Sequence, residues 1–193
     1  MHSYRKAIQE IIRFKNAFDK IDKPGSRVSR KLVGDIGEYY VLQELEKRGF
    51  TVNGRGGQAG HDIYLPNEDI RIEVKTSLLK NEGLYPEGIN FYGWRVKNRD
   101  QKKDNKFDFL VGISLDDSFT KPKFYIFTRK EAFKVGDVKL GRFNGIQKKI
   151  TIFENIKAMK EAVKAKPKYV TEYEKYINKN QAKFLNKWGK IKN

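Results

Sequence analysis

The chain has 193 residues, 38% hydrophobic and 13% aromatic, enough for one core with an appendage or two small cores. It has no cysteine, which excludes disulfides, thiolate zinc sites and thiol catalysis and fits a reducing cytoplasm; no apolar run reaches the roughly 18 residues of a membrane span, and the start lacks a signal-peptide pattern. The 41 basic and 24 acidic side chains leave a net charge of +17, which favours a polyanion partner, nucleic acid before an anionic membrane.

The charge is unevenly spread. Residues 1–78 hold 14 basic and 11 acidic groups, net +3, whereas residues 79–193 hold 27 and 13, net +14. In chain order, Ala7, Ile8, Ile11, Ile12, Phe18 and Ile21 recur near helical spacing and predict an amphipathic helix over 4–21, ended by Pro24 and Gly25. A second helix is expected over about 30–48, capped by Ser29 and stopped at Gly49. At about 100° per residue, Gly34, Val41, Leu42 and Leu45 fall within about 60° of Glu38, so this carboxylate points with the apolar stripe. Burial there is costly unless a cation or hydrogen bonds meet it.

Residues 50–53 read as a short strand, followed by a glycine loop over 54–60. Gly54, Gly56 and Ala59 resemble a dinucleotide fingerprint, but that motif needs a helix directly after the glycines, and Asp62, Ile63, Tyr64 and Leu65 alternate like a strand. The Rossmann reading therefore fails. Arg55 and Gln58 in this loop are candidate contacts to duplex DNA.

Ile63 and Leu65 alternate with Asp62 and Tyr64, and Ile70, Ile72 and Val74 alternate with Arg71, Glu73 and Lys75. Two strands joined by the turn Pro66-Asn67-Glu68-Asp69 account for both patterns. Alternation places Glu73 and Lys75 on one face, about 7 Å apart, and the turn brings Asp62 towards them.

After a loop over 79–90, residues 91–96 read as a third core strand and 97–106 as a basic connector on the expected DNA side. Arg95, Lys97, Arg99 and Gln101 are candidate DNA contacts there. Residues 107–115 predict a central strand and 123–127 its neighbour; Thr128 and Glu131 form a capping box for a short helix through Phe133. A further hairpin is expected over 136–153 around Asn144 and Gly145. Helical patterns then occupy 154–165 and 170–188, with Val170, Tyr173, Ile177, Phe184 and Trp188 on one stripe suited to core packing. The expected organisation is an N-terminal amphipathic helix over 1–28, a core over 29–153 and a basic helical extension over 154–193.

Glu38 on a helix, followed by Asp62 and Glu73-x-Lys75 on a hairpin, resembles the PD-(D/E)xK nuclease superfamily over roughly residues 30–130. His61 stands where the motif has proline. The resemblance implies an α/β, restriction-endonuclease-like core with a mixed central β-sheet flanked by helices, to which this chain adds a basic helical C-terminal appendage. It also implies Asp62 and Glu73 as ligands of Mg2+, or of Mn2+ in its place, with the Val74 carbonyl as a third. Lys75 would orient or deprotonate the attacking water or stabilise developing charge, and Glu38 would support Lys75, the water or a second metal.

Phosphodiester hydrolysis asks for such a set: a hard cation neutralises the phosphate and activates water, and Mg2+ is commonly held by one or two carboxylates plus substrate oxygens. Two histidines and no cysteine leave zinc short of ligands. No Walker loop or G-x-S-x-G is present, and a lysine between the carboxylates suits a glycosidase poorly. The implied activity is Mg2+-dependent cleavage of double-stranded DNA, as a type II restriction endonuclease acting as a cytoplasmic homodimer. A Holliday junction resolvase-like or repair nuclease, and a catalytically silent DNA-binding module, are the alternatives.

Overall fold

The computed structural model describes residues 2–21, 27–53, 60–80, 89–97, 107–135, 147–165 and 181–191. Its elements in order are α1 (His2–Phe18), α2 (Arg27–Lys47), β1 (Ile63–Leu65), β2 (Ile70–Leu78), β3 (Phe91–Lys97), β4 (Phe109–Leu115), β5 (Lys123–Thr128), α3 (Arg129–Val135), β6 (Gln147–Phe153) and α4 (Ile156–Ala165). Two 3-10 turns, Gln181–Phe184 and Trp188–Lys190, follow.

The main sheet has the order β1-β2-β4-β5. The β1–β2 and β4–β5 pairs are antiparallel and β2–β4 is parallel, so this is the mixed central sheet expected from the sequence. Leu110 to Leu115 of β4 are all buried on both faces, as a near-continuous apolar run in a central strand requires. One face of the sheet carries Ile70, Ile72, Val74, Val111 and Ile113 and packs in one core with Val33, Ile36, Val41 and Leu42 of α2. Ile8 of α1 joins the same core. The second core, with Trp94, Val96, Leu110, Phe127 and Ile150, lies on the other face beneath a separate two-stranded sheet of β3 and β6.

Several local expectations change. Residues 91–97 form a strand but do not join the main sheet. One edge of β2 is taken by β4 and the start of the other by β1, so β3 meets only the end of β2, through an isolated Lys80–Phe91 bridge. It layers over the sheet instead and takes β6 as its partner. Residues 50–53 make only an Asn53–Tyr64 bridge rather than a strand. Helix α2 begins before Ser29, which is buried inside it rather than capping it. Hydrogen bonds from Lys15 and from Ser29 hold the Asp19 carboxyl below its ordinary pKa against the opposing effect of burial, linking the end of α1 to α2. Residues 136–146 of the expected hairpin lie outside the described residues, as do 170–180 of the last helical pattern.

Residues 181–190 are two 3-10 turns rather than the end of a long helix. Asn186, with φ of 52°, breaks the helical path between them. The reason lies in the edge strand β5, whose side chains alternate between the two cores. Phe184 packs on Phe127 in one core, with ring centroids 4.3 Å apart, and Trp188 on Phe124 in the other, at 5.2 Å. The chain crosses the strand edge between them, where Asn186 N–H donates to the Phe124 carbonyl at 2.8 Å. An open edge is thereby covered.

The capping box forms as expected. Thr128 N–H donates to Glu131 Oε2 at 2.9 Å and Glu131 N–H to Thr128 Oγ1 at 3.2 Å. Lys190 from the last turn adds hydrogen bonds to both Glu131 oxygens, at 2.9 and 2.8 Å.

This packing has two testable consequences for stability. A Cβ on Gly37 of α2 would stand 1.9 Å from Thr76 Oγ1, whereas one on Gly34 would meet nothing within 4 Å. Gly37→Ala is therefore expected to lower unfolding free energy by about 1–3 kcal/mol, and Gly34→Ala to leave it unchanged or raise it by up to ~1 kcal/mol, in urea titrations. Equal effects would mean that α2 does not press on Thr76. For Glu131, burial raises the pKa, but the Lys190 and Thr128 hydrogen bonds outweigh it and hold the group below the ordinary carboxylate value. With the folded pKa depressed, its contribution is fully present above the unfolded value of about 4.3 and is lost as pH falls through the folded one. The urea midpoints of wild type and Glu131→Gln should thus differ at neutral pH and converge as pH falls through the depressed folded pKa; a constant gap would contradict the assignment.

Candidate functional site

Strand β2 has two different faces. Ile70, Ile72 and Val74 are buried against α2, while Arg71, Glu73 and Lys75 on the alternate face stay partly exposed. The hairpin expected over 62–75 is present, with Ile63 opposite Ile72 and Leu65 opposite Ile70. Asp69, at φ 50°, closes its turn.

Asp62 lies one residue before β1 and extends the hairpin pairing with its side chain. Its N–H donates to the Ile72 carbonyl at 2.9 Å, and its Oδ2 accepts the Val74 N–H at 2.7 Å. The carboxylate thus takes the place of a backbone carbonyl at the rung beyond β1. This fixes Asp62 beside Glu73 and Lys75.

Lys75 gathers the group. Its Nζ is ion-paired with Glu73 Oε1, lies 3.1 Å from the Val74 carbonyl oxygen and is 3.9 Å from Asp62 Oδ2. The three side chains are between 19% and 34% exposed, so the cluster is open to a ligand and the ion pairs are weakened by solvent. Oxygens from Asp62, Glu73 and the Val74 carbonyl therefore converge around one cationic atom. These are the three donors that the resemblance to PD-(D/E)xK nucleases implies for a metal.

Glu38 occupies a half-buried place on α2. It follows Gly37, which rests on Thr76, the residue after Lys75. The helix thus meets β2 at the level of Lys75, but packs on the strand's opposite face. A glycine inside a helix costs about 1 kcal/mol relative to alanine, so Gly37, which the periodicity of the helix passes over, is the residue that could have signalled this close approach. Arg95 is exposed on β3 and Lys97 ends that strand, whereas Arg55, Gln58, Arg99 and Gln101 lie outside the described residues.

His61 is buried next to Asp62. Burial, then the nearby Arg71 charge, lowers its pKa from the ordinary 6.5 against weaker opposing effects of Asp62 and Asp108, so the ring is neutral at pH 7. Among the described residues no three acidic or histidine side chains form a ready metal-ligand group. Mg2+ asks for fewer, since it keeps several waters and takes one or two carboxylates plus substrate oxygens.

No family model matches this chain, and no curated protein does. Among solved structures it is similar to the bacterial homing endonuclease I-Ssp6803I, at 17% identity over 86% of this chain and 93% of that chain, with a TM-score of 0.49.

The hydrogen bond that places Asp62 is directly testable. Asp62→Ala removes the acceptor of the Val74 N–H, a loss of about 1–3 kcal/mol of local stability, whereas Asp62→Asn keeps a carbonyl oxygen there. Amide exchange at Val74 should quicken in the alanine variant and stay near wild type in the asparagine variant. Slow exchange in both would show that Asp62 is not what protects this amide.

Proposed function

We propose that this protein is a metal-dependent endonuclease that hydrolyses phosphodiester bonds of double-stranded DNA, with a site of the PD-(D/E)xK kind. The observation that carries the reading is the convergence of Asp62, Glu73 and the Val74 carbonyl on the Lys75 ammonium. Oxygens arranged around one positive atom are disposed for another, and the donor set is the hard-oxygen type that Mg2+ prefers, with Mn2+ able to replace it. Asp62, Glu73 and the Val74 carbonyl would hold the ion. Bound there, it would neutralise the phosphate and lower the pKa of a water.

The chain's own residues do the rest. Asp62 is locked by the Val74 N–H, so its carboxylate needs little reorganisation. Lys75 exchanges its carboxylate partners for the attacking water or the phosphate oxygens, orienting one and offsetting charge on the other. By resemblance, Glu38 would support Lys75, its water or a second metal, reaching them from a helix that packs on the opposite face of β2. The net charge of +17 supplies the long-range attraction for DNA. We place the enzyme with type II restriction endonucleases acting as homodimers, since two sites related by a two-fold axis cut both strands of a palindrome.

The test is plasmid cleavage with Mg2+ by wild type, Asp62→Asn and Lys75→Ala. Each substitution should slow cleavage by about 10²-fold or more while binding to DNA is retained. Mg2+ alone should raise the melting temperature of wild type and not of Asp62→Asn. Wild-type cutting rates in Asp62→Asn would falsify the assignment of the site.

A further inference from the structure

The two-stranded sheet of β3 and β6 covers the same face of the main sheet that bears Glu73 and Lys75. Trp94 rests on Gly112, the β4 residue paired with Lys75, and Val96 shares a core with Leu110, the residue paired with Glu73. At the other end, Gly93 N–H donates to Ser77 Oγ at 3.1 Å. Passing from Gly93 to Lys97, β3 therefore runs from the level of Ser77 back to that of Glu73. Its far end is level with the carboxylates.

That end has an unusual charge pattern. Arg95 stands opposite Lys149, Val96 opposite Lys148 and Lys97 opposite Gln147. These three rungs hold four basic residues, and neither strand contains an acid. Like charges directly opposite one another destabilise a sheet, and the usual remedy is an opposite charge on the partner strand. Arg95 is exposed and no described ion pair includes it. A two-stranded antiparallel ribbon is also narrow enough to enter or border the major groove of a duplex.

We propose that the Arg95–Lys149 end of this ribbon is the duplex-gripping element, holding a backbone phosphate on the ribbon's outer face, where exposed Arg95 alternates with buried Trp94 and Val96, at the level of Asp62, Glu73 and Lys75. The proximity to a cleaved phosphate rests on the nuclease reading; the grip does not. Because phosphates are common to every sequence, the grip orients the duplex without selecting bases.

The experiment measures binding of a fluorescent duplex by anisotropy, without divalent metal, across a salt series, for wild type, Arg95→Ala/Lys149→Ala and Arg5→Ala/Lys6→Ala. The last pair removes the same charge from exposed positions on α1, which packs on α2 away from the ribbon. The ribbon variant should bind about 10-fold or more weaker, on every duplex tested. Its slope of log affinity against log salt should fall by about 1 for each phosphate it no longer neutralises. Its melting temperature should not fall, which separates a lost grip from a lost fold. Unchanged affinity, an equal loss in the α1 variant or a loss confined to particular base sequences each overturns the proposal. Wild-type binding that is weakened in the ribbon variant, together with no plasmid cleavage once Mg2+ is supplied, upholds the grip while removing the nuclease reading. No binding by wild type removes both.

Discussion

The site depends on one hydrogen bond, from the Val74 N–H to the Asp62 carboxylate. Strand β1 is only three residues long and stops before it reaches the charged part of β2. A backbone carbonyl at the next rung would have continued an ordinary hairpin. A carboxylate there satisfies the same amide with one oxygen and brings a formal negative charge to the place where Glu73 and Lys75 project. The short strand is therefore what creates the site. It releases one rung of backbone pairing and gives that rung to a side chain.

Much of this was legible in sequence because a strand writes its two faces into alternate residues. Ile70, Ile72 and Val74 against Arg71, Glu73 and Lys75 set the hairpin register, and a slip of one residue would bury the charges. The Thr128–Glu131 capping box was equally readable because it is a local exchange of hydrogen bonds. What alternation does not encode is which sheet edge a strand finds. Residues 91–97 have a good strand pattern, but their place depended on β4 and β1 already holding β2. Stripes at helical spacing were similarly ambiguous near the C-terminal end. Phe184 and Trp188 are four apart and share a helical face in principle, yet they enter opposite cores because the chain must turn around β5.

The candidate set on β2 was legible by type and spacing, but the central position of Lys75 within it was not. Sequence places its ammonium near two carboxylates. Geometry adds the Val74 carbonyl and puts all three donors around the same nitrogen. Solvent exposure keeps these interactions modest, so the ammonium can leave them without a large loss. A fully buried pair would have been much harder to separate, since breaking it strands a charge in a low-dielectric interior. Partial exposure thus suits the change of partners proposed for Lys75.

Glycine sets the distances on both sides of β2. On one face, Gly37 lets α2 come down on Thr76, carrying Glu38 with it. On the other, Gly112 lets the Trp94 ring lie on the sheet, where its indole N–H donates to the Ile113 carbonyl at 3.0 Å. A Cβ at residue 112 would meet Trp94 ring atoms at 3.0–3.1 Å, too close for the ring to stay where it is. Trp94 is the neighbour of Arg95, so a shift of a few tenths of an ångström in the ring is passed to the ribbon without altering a charged group. The seat of the ribbon on the sheet beside the Lys75 level is therefore held by an uncharged contact, a tryptophan on a glycine.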